Sequence, residues 1–353
     1  MSRVQAVQKE LEQLQVDALL VTSSYNLRYV SGFTGTAGLS VITKDKAFFI
    51  TDFRYTEQAK EQAVGFEIIK HSGPIYEEVK ELLKKEKIQV VGFEKDFVTF
   101  STYEMIKETL PCELKPVSGV IEALREIKEE SEVETIQEAI RITEYAFLEI
   151  LNEIKPGVTE IEIANKLDFL MREKGATSVS FDTIVASGKR SAMPHGVASD
   201  KKIEQGDMIT FDFGCYYKGY VSDMTRTVSL GDPGEELKKV HKIVLDANLK
   251  VTDYAKAGVT GKELDAVARD YITEHGYGEA FGHSTGHGMG LEVHEGPGIN
   301  FRNEKALVAG NVITNEPGIY LPGLGGVRIE DDLLITESGN RNLMKVTKEL
   351  IQL

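Results

Sequence analysis

The chain has 353 residues, of which 41% are hydrophobic and 27% charged, with a formal net charge of −15. That length exceeds one ordinary core and suits two domains, while the acidity excludes a nucleic-acid footprint or an anionic membrane surface as partner. No stretch approaches the roughly 20 apolar residues that span a bilayer, and Cys112 and Cys215 fall in segments assigned to different domains, so a reduced, cytoplasmic setting is expected.

Val4, Val7, Leu11 and Leu14 recur at helical spacing, so the first residues read as an amphipathic helix and not as a signal peptide. Asp17 to Thr22, Leu39 to Thr43, Ala47 to Thr51 and Gln89 to Gly92 read as short strands, and Ile75 to Glu86 as an amphipathic helix. Residues 1–123 are expected to form a mixed α/β domain in which no motif carries chemistry. Ser131 followed by Glu134 has the capping-box pattern, and Val133, Ile136, Ile140, Phe147, Ile150 and Ile154 recur near a helical period up to Pro156. A long helix is expected there, opening a second domain over residues 124–353.

This second domain carries an internal repeat. Gly157-Val158-Thr159 begins a helix that ends at Gly175, and Gly258-Val259-Thr260 begins one that ends at Gly276. Gly206-Asp207-Met208-Ile209-Thr210-Phe211-Asp212 matches Gly310-Asn311-Val312-Ile313-Thr314-Asn315-Glu316. The offsets are 101 and 104 residues, so helix and strand recur together, and the expected fold is α+β with two similar halves about a pseudo-twofold axis.

Each half presents a pair of carboxylates. Lys218-Gly219 is a tight-turn signal that brings Asp212 and Asp223 to within about one residue of being cross-strand neighbours. Glu316 and Glu330 flank the turn Pro322-Gly323-Leu324-Gly325-Gly326, with position 323 as their midpoint. Opposed like charges destabilise a hairpin, and two such pairs converging on one axis require protons or cations. The segment from His283 to Pro297 adds three histidines, His283, His287 and His294; a fourth, His195, takes roughly the place in its repeat that His294 takes in the second. Four carboxylates with an imidazole suit one or two divalent cations. Gly286, Gly288 and Gly290 would let the backbone approach a ligand closely. A lone carboxylate on a strand is ordinarily just solvated, and His71, His241 and His275 read as surface residues.

Asp212, Asp223, His287, Glu316 and Glu330, in the contexts FDFG, SDMTRT, HGMGLEVHE, NEPGIY and GVRIEDD, resemble the M24 metallopeptidase family. This is the pita-bread fold of methionine aminopeptidase, aminopeptidase P, prolidase and creatinase. The resemblance covers the chain from about Ser131 onward, and the preceding part resembles the creatinase/prolidase amino-terminal domain. It implies a hydrolase with two divalent ions: manganese first, with cobalt, iron or zinc as alternatives. Asp212 would chelate one ion, His287 and Glu316 the other, and Asp223 and Glu330 both. A water shared by the ions would attack the scissile carbonyl, with Glu316 as proton shuttle and His294 stabilising the developing charge or the leaving nitrogen. His283 and His195 would line the pocket, and Arg328 would act as a partner of the ligands or as a substrate anchor.

The two-domain layout favours the proline-specific branch, a dipeptidase acting on Xaa-Pro, with aminopeptidase P acting on longer Xaa-Pro-Yaa peptides as the alternative. Methionine aminopeptidase typically lacks so large a preceding domain. A non-catalytic binding protein and a creatinase-like hydrolase without metals are both disfavoured by the complete ligand set. A homodimer is expected from the resemblance.

Overall fold

A computed structural model describes all residues 1–353. The chain divides into two compact units, Met1–Arg125 and Glu126–Leu353. In the first, helices α1 (Arg3–Gln13), α2 (Ser24–Ser31), α3 (Thr56–Gln62), α4 (Ile75–Lys85), α5 (Phe100–Thr109) and α6 (Val120–Arg125) accompany strands β1 (Ala18–Val21), β2 (Leu39–Thr43), β3 (Ala47–Thr51), β4 (Glu67–Lys70), β5 (Val90–Glu94) and β6 (Glu113–Val117). The strands form one mixed sheet in the order β4-β3-β2-β1-β5-β6. Leu20, Val41, Phe48, Ile50 and Leu83 lie in its core. Helix α6 spans the expected boundary at 123/124, and the second unit begins just after it.

The second unit opens with α7 (Glu130–Ile150). Its cap is Glu129 with Glu132, not the Ser131–Glu134 pair: Glu132 accepts the Glu129 N–H at 3.0 Å. Glu129 has the extended backbone of a cap residue, and a glutamate there serves as the acceptor that a serine would otherwise supply, leaving Ser131 inside the first turn.

The repeat is visible as structure. Helices α8 (Glu160–Glu173) and α10 (Gly261–Glu274) each start from a threonine capping box, Thr159–Glu162 and Thr260–Glu263. Each is preceded and followed by a glycine with φ between 87° and 102°, a region that costs a residue with Cβ strain. Between these helices run β7 (Ser178–Val179), β8 (Ile184–Ser187), β9 (Met208–Phe213), β10 (Cys215–Tyr217), β11 (Tyr220–Val221), β12 (Met224–Ser229) and α9 (Glu235–Tyr254). After α10 come β13 (Gly286–Gly288), β14 (Glu295–Ile299), β15 (Val312–Asn315), β16 (Gly318–Leu321), β17 (Gly325–Arg328), β18 (Asp331–Ile335) and β19 (Asn340–Asn342).

In the first half β9 lies between β8 and β12; in the second β15 lies between β13 and β18. Each half has its own apolar cluster, around Phe147, Leu167 and Phe211 in one and Val244, Leu264 and Ile313 in the other. Both cysteines are free thiols. No helix is long and apolar enough to cross a membrane.

Candidate active site

The two hairpins set the carboxylates. Lys218 (φ 46°) and Gly219 (φ 85°) turn β10 into β11, the left-handed pair of a tight hairpin turn. The register that follows places Asp212 opposite Thr225, so Asp223 lies two residues from the cross-strand position, not one. The difference matters, because side chains alternate faces: an offset of two keeps both carboxylates on the same face. In the second half Gly318 pairs with Arg328, so the register extended by two residues sets Glu316 opposite Glu330.

His287 sits on β13, between β14 and β15. Its Nδ1 lies 3.1 Å from the Gly288 carbonyl and must carry the proton. Nε2, left with a lone pair, faces Glu316 Oε1 at 3.4 Å and Asp223 Oδ2 at 3.7 Å. Burial, with His294 nearby, pushes the His287 ring down to about 4, which keeps it neutral. Lone pair facing lone pair is unfavourable unless a cation or a proton lies between them.

Ligand atoms of Asp223, His287 and Glu330 all fall within 4.8 Å of one another. Burial and the neighbouring carboxylates drive Asp223 and Glu330 well above the usual carboxylate range. Glu316 is also raised by burial, against the pull of the Arg328 guanidinium. Asp212 Oδ1 is buried without a hydrogen-bond partner. The donor set therefore fits a divalent cation: oxygen-rich, one neutral imidazole, unpaired acceptors and a surplus of negative charge.

The surrounding groups hold these ligands. Thr225 donates its hydroxyl to Glu330 Oε2 at 2.7 Å, and Thr314 donates to Glu316 Oε1 at 3.2 Å. Arg328 is buried and committed to three partners: Asp212 Oδ2 at 2.5 Å, the Tyr320 hydroxyl at 2.7 Å and Thr225 Oγ1 at 3.2 Å. Tyr320 passes the chain on to His283 Nε2 at 2.8 Å, and His283 Nδ1 lies 2.8 Å from the Ser284 carbonyl. One arrangement of protons satisfies all of these: Arg328 donates to Tyr320, Tyr320 to His283, and His283 to Ser284. Burial, then Arg328, pushes His283 down to about 4, so it is a neutral acceptor and not a cation. Burial pushes the Tyr320 hydroxyl up to about 12.

A cavity of about 470 Å³ opens over the carboxylates. His195, His283 and His294 reach it, and Phe181, Ile184, Pro194, Val197 and Val293 supply apolar wall. The His294 ring stands edge-on to His287, with centroids 4.4 Å apart. All nine residues singled out from the sequence line this one cavity.

One expectation is corrected, and one gains a second cause. The glycines of β13 are required by packing: a Cβ on Gly286 would lie 2.1 Å from the Thr314 carbonyl, and one on Gly288 2.1 Å from that of Gly296. They let β13 fit between its neighbouring strands. His241 is not a surface residue; it is 3% exposed on the inner face of α9.

Sequence reasoning also missed Tyr320, Thr225 and the apolar wall. Tyr320 had a signal, since residues 316, 318 and 320 share one face of a strand. Phe181 and Val293 had none, because neither belongs to a periodic run.

A family model described as metallopeptidase family M24 matches residues 134–337, and one described as the creatinase/prolidase N-terminal domain matches residues 3–127. A solved Xaa-Pro dipeptidase from Bacillus anthracis is 54% identical, with a TM-score of 0.98 and 99% of each chain covered. A Xaa-Pro dipeptidase of Pyrococcus horikoshii is 42% identical over 99% of this chain and 98% of its own. A solved X-Pro aminopeptidase from Thermotoga maritima is 44% identical, with a TM-score of 0.93, covering 98% of this chain and all of its own.

Proposed function

Because the chain belongs to metallopeptidase family M24, we propose that it hydrolyses the peptide bond of Xaa-Pro dipeptides. Asp212, Asp223, His287, Glu316 and Glu330 would hold two divalent ions; manganese is the first choice from the family resemblance, and a set of this hardness also accepts cobalt, iron or zinc. The observation that carries the metal reading is the Nε2 of His287 facing two carboxylate oxygens, at 3.4 and 3.7 Å. When bound, such ions supply Lewis acidity and make water nucleophilic near neutral pH.

The chain's own residues do the rest. Glu316 receives a proton and delivers it to the leaving proline nitrogen. His294, at the cavity wall, donates to the oxygen on which charge develops. Arg328 orients Asp212 and, with Tyr320, fixes the tautomer of His283. Phe181, Ile184 and Val293 offer the apolar surface that a proline ring or an aliphatic side chain requires.

The dipeptide reading is supported by relatives named Xaa-Pro dipeptidase that match over nearly the whole chain. A second reading, release of the first residue from longer Xaa-Pro-Yaa peptides, is favoured by the Thermotoga relative. A dipeptidase must hold the free carboxylate of proline. Arg328 is already committed and His283 is neutral, which leaves His195 or a group from a partner subunit's N-terminal domain. Manganese-loaded enzyme should cleave Xaa-Pro with a higher kcat/KM than Xaa-Pro-Yaa. Equal efficiency on the tripeptide would move the chain to the aminopeptidase reading and leave the metal chemistry unchanged. A cytoplasmic homodimer belongs to the same reading; light scattering at micromolar concentration should give twice the 39.1 kDa chain mass.

A further inference from the structure

Beneath the carboxylates lies a second polar layer, built partly by the segment after β19. Arg226 of β12 is 2% exposed, and all five of its N–H groups are engaged. Nε donates to the Thr347 carbonyl at 3.0 Å. Nη1 donates to the carbonyls of Thr225, at 2.9 Å, and of Glu330. Nη2 donates to Asp331 Oδ1 at 2.9 Å and to the Val346 carbonyl at 3.0 Å.

The other oxygen of Asp331 accepts from Lys348 Nζ at 2.5 Å and from Asn342 Nδ2 at 2.8 Å. Lys348 Nζ also donates to Asn248 Oδ1 at 2.8 Å. The amide of Asn248 in turn donates to the carbonyls of Asn315, at 2.9 Å, and Ile329, at 3.2 Å. Those are the residues immediately before Glu316 and Glu330.

The same segment is pinned to the first half of the domain. The N–H groups of Lys345 and Val346 donate to Glu144 on α7. Ser229 of β12 donates to the Ile351 carbonyl and accepts from the Leu353 N–H, both at 2.9 Å. Residues 343–353 thus grip one half while Lys348 reaches into the other.

The ligand set is divided in the same way. Asp212 and Asp223 come from the first half; His287, Glu316 and Glu330 come from the second. A set divided so keeps its spacing only while the halves stay in register, and sites of this kind tolerate errors of only about half an ångström. We propose that Lys348, acting through Asp331 and Asn248, is a positioning residue that sets the affinity of the five-residue cluster for divalent metal. The proposal rests on the metal-ligand reading given above.

The test is the dissociation constant for Mn²⁺, measured by calorimetry on the full chain, in Lys348→Met and in Lys345→Met. The second variant removes the same charge from an exposed neighbour. Lys348→Met should weaken Mn²⁺ binding about 10-fold or more, the scale for groups that orient metal ligands, with kcat at saturating Mn²⁺ within about threefold of wild type. Lys345→Met should leave the affinity unchanged. If Lys348→Met does not fold, Lys348→Gln is read the same way.

A folded variant whose Mn²⁺ affinity stays within about twofold of wild type would overturn the proposal, even if its metal-free Tm falls, since that is a structural role only. A wild-type chain that binds no divalent ion would overturn the metal-ligand reading, and this proposal with it. Loss of affinity in both lysine variants alike would show long-range charge and not positioning.

Discussion

Glu330 is supplied by the second half of the domain, yet the first half holds it: Thr225 donates its hydroxyl to Oε2 at 2.7 Å, and the Glu330 N–H reaches the Thr225 carbonyl at 3.1 Å. Removing this carboxylate leaves its buried neighbours Asp223 and Glu316 without a shared cation, so the two should take up protons instead. Glu330→Ala is therefore expected to purify without metal, by elemental analysis, and without activity. His294 meets the cluster at the edge of the His287 ring. His294→Ala should keep its metal and lose about 10²-fold or more in kcat, the scale for a positioned acid or oxyanion donor. A near-normal rate would remove His294 from the chemistry. The carboxylates and His287 were legible from type and spacing. Arg226, Lys348 and Asn248 were not, because the partners that tie them into the site lie 17 to 121 residues away in the chain with no periodic trace.

At the scale of elements, what the sequence showed most clearly was local. The helix starts at Gly157-Val158-Thr159 and Gly258-Val259-Thr260, the Lys218-Gly219 turn and the glycine-rich turn at Gly323 are dictated by short-range chemistry, and each folds as its residues require. The start of α7 was misread because a capping glutamate carries the same geometry as a serine without the usual signature. The packing need of strand β13 was not legible for a different reason: its glycines answer to backbone on either side, which only the assembled sheet reveals. Gly288→Ala is expected to destabilise the fold by about 3 kcal/mol or more, since the obstructing atoms are backbone and cannot rotate away. Gly282, whose Cβ would meet nothing within 4 Å, is the matched control, and Gly282→Ala should leave the denaturation midpoint nearly unchanged.

For the whole molecule, His241 links folding to pH. It is buried on α9, its Nε2 has no partner, and burial lowers it from 6.5 to about 4. The unfolded chain therefore binds this proton more readily than the folded one. The contribution is fully present above about pH 6.5 and is lost as pH falls toward 4, at a cost of about 2 kcal/mol between pH 7 and 5. Urea melts of wild type and His241→Leu at those two pH values should show a smaller loss in the variant; equal losses would mean that His241 protonates as readily folded as unfolded.

The pairing of the two halves also bears on ancestry. Only one half contributes an imidazole to the proposed ligand set, and each contributes two carboxylates. A free-standing half with the present side chains would carry an incomplete chelator, which two identical copies about a true twofold axis would have to complete. Once both copies lay on one chain, the symmetry could be broken one side chain at a time. A histidine on β13 with no ligating counterpart on β8 is an asymmetry that two identical copies cannot carry.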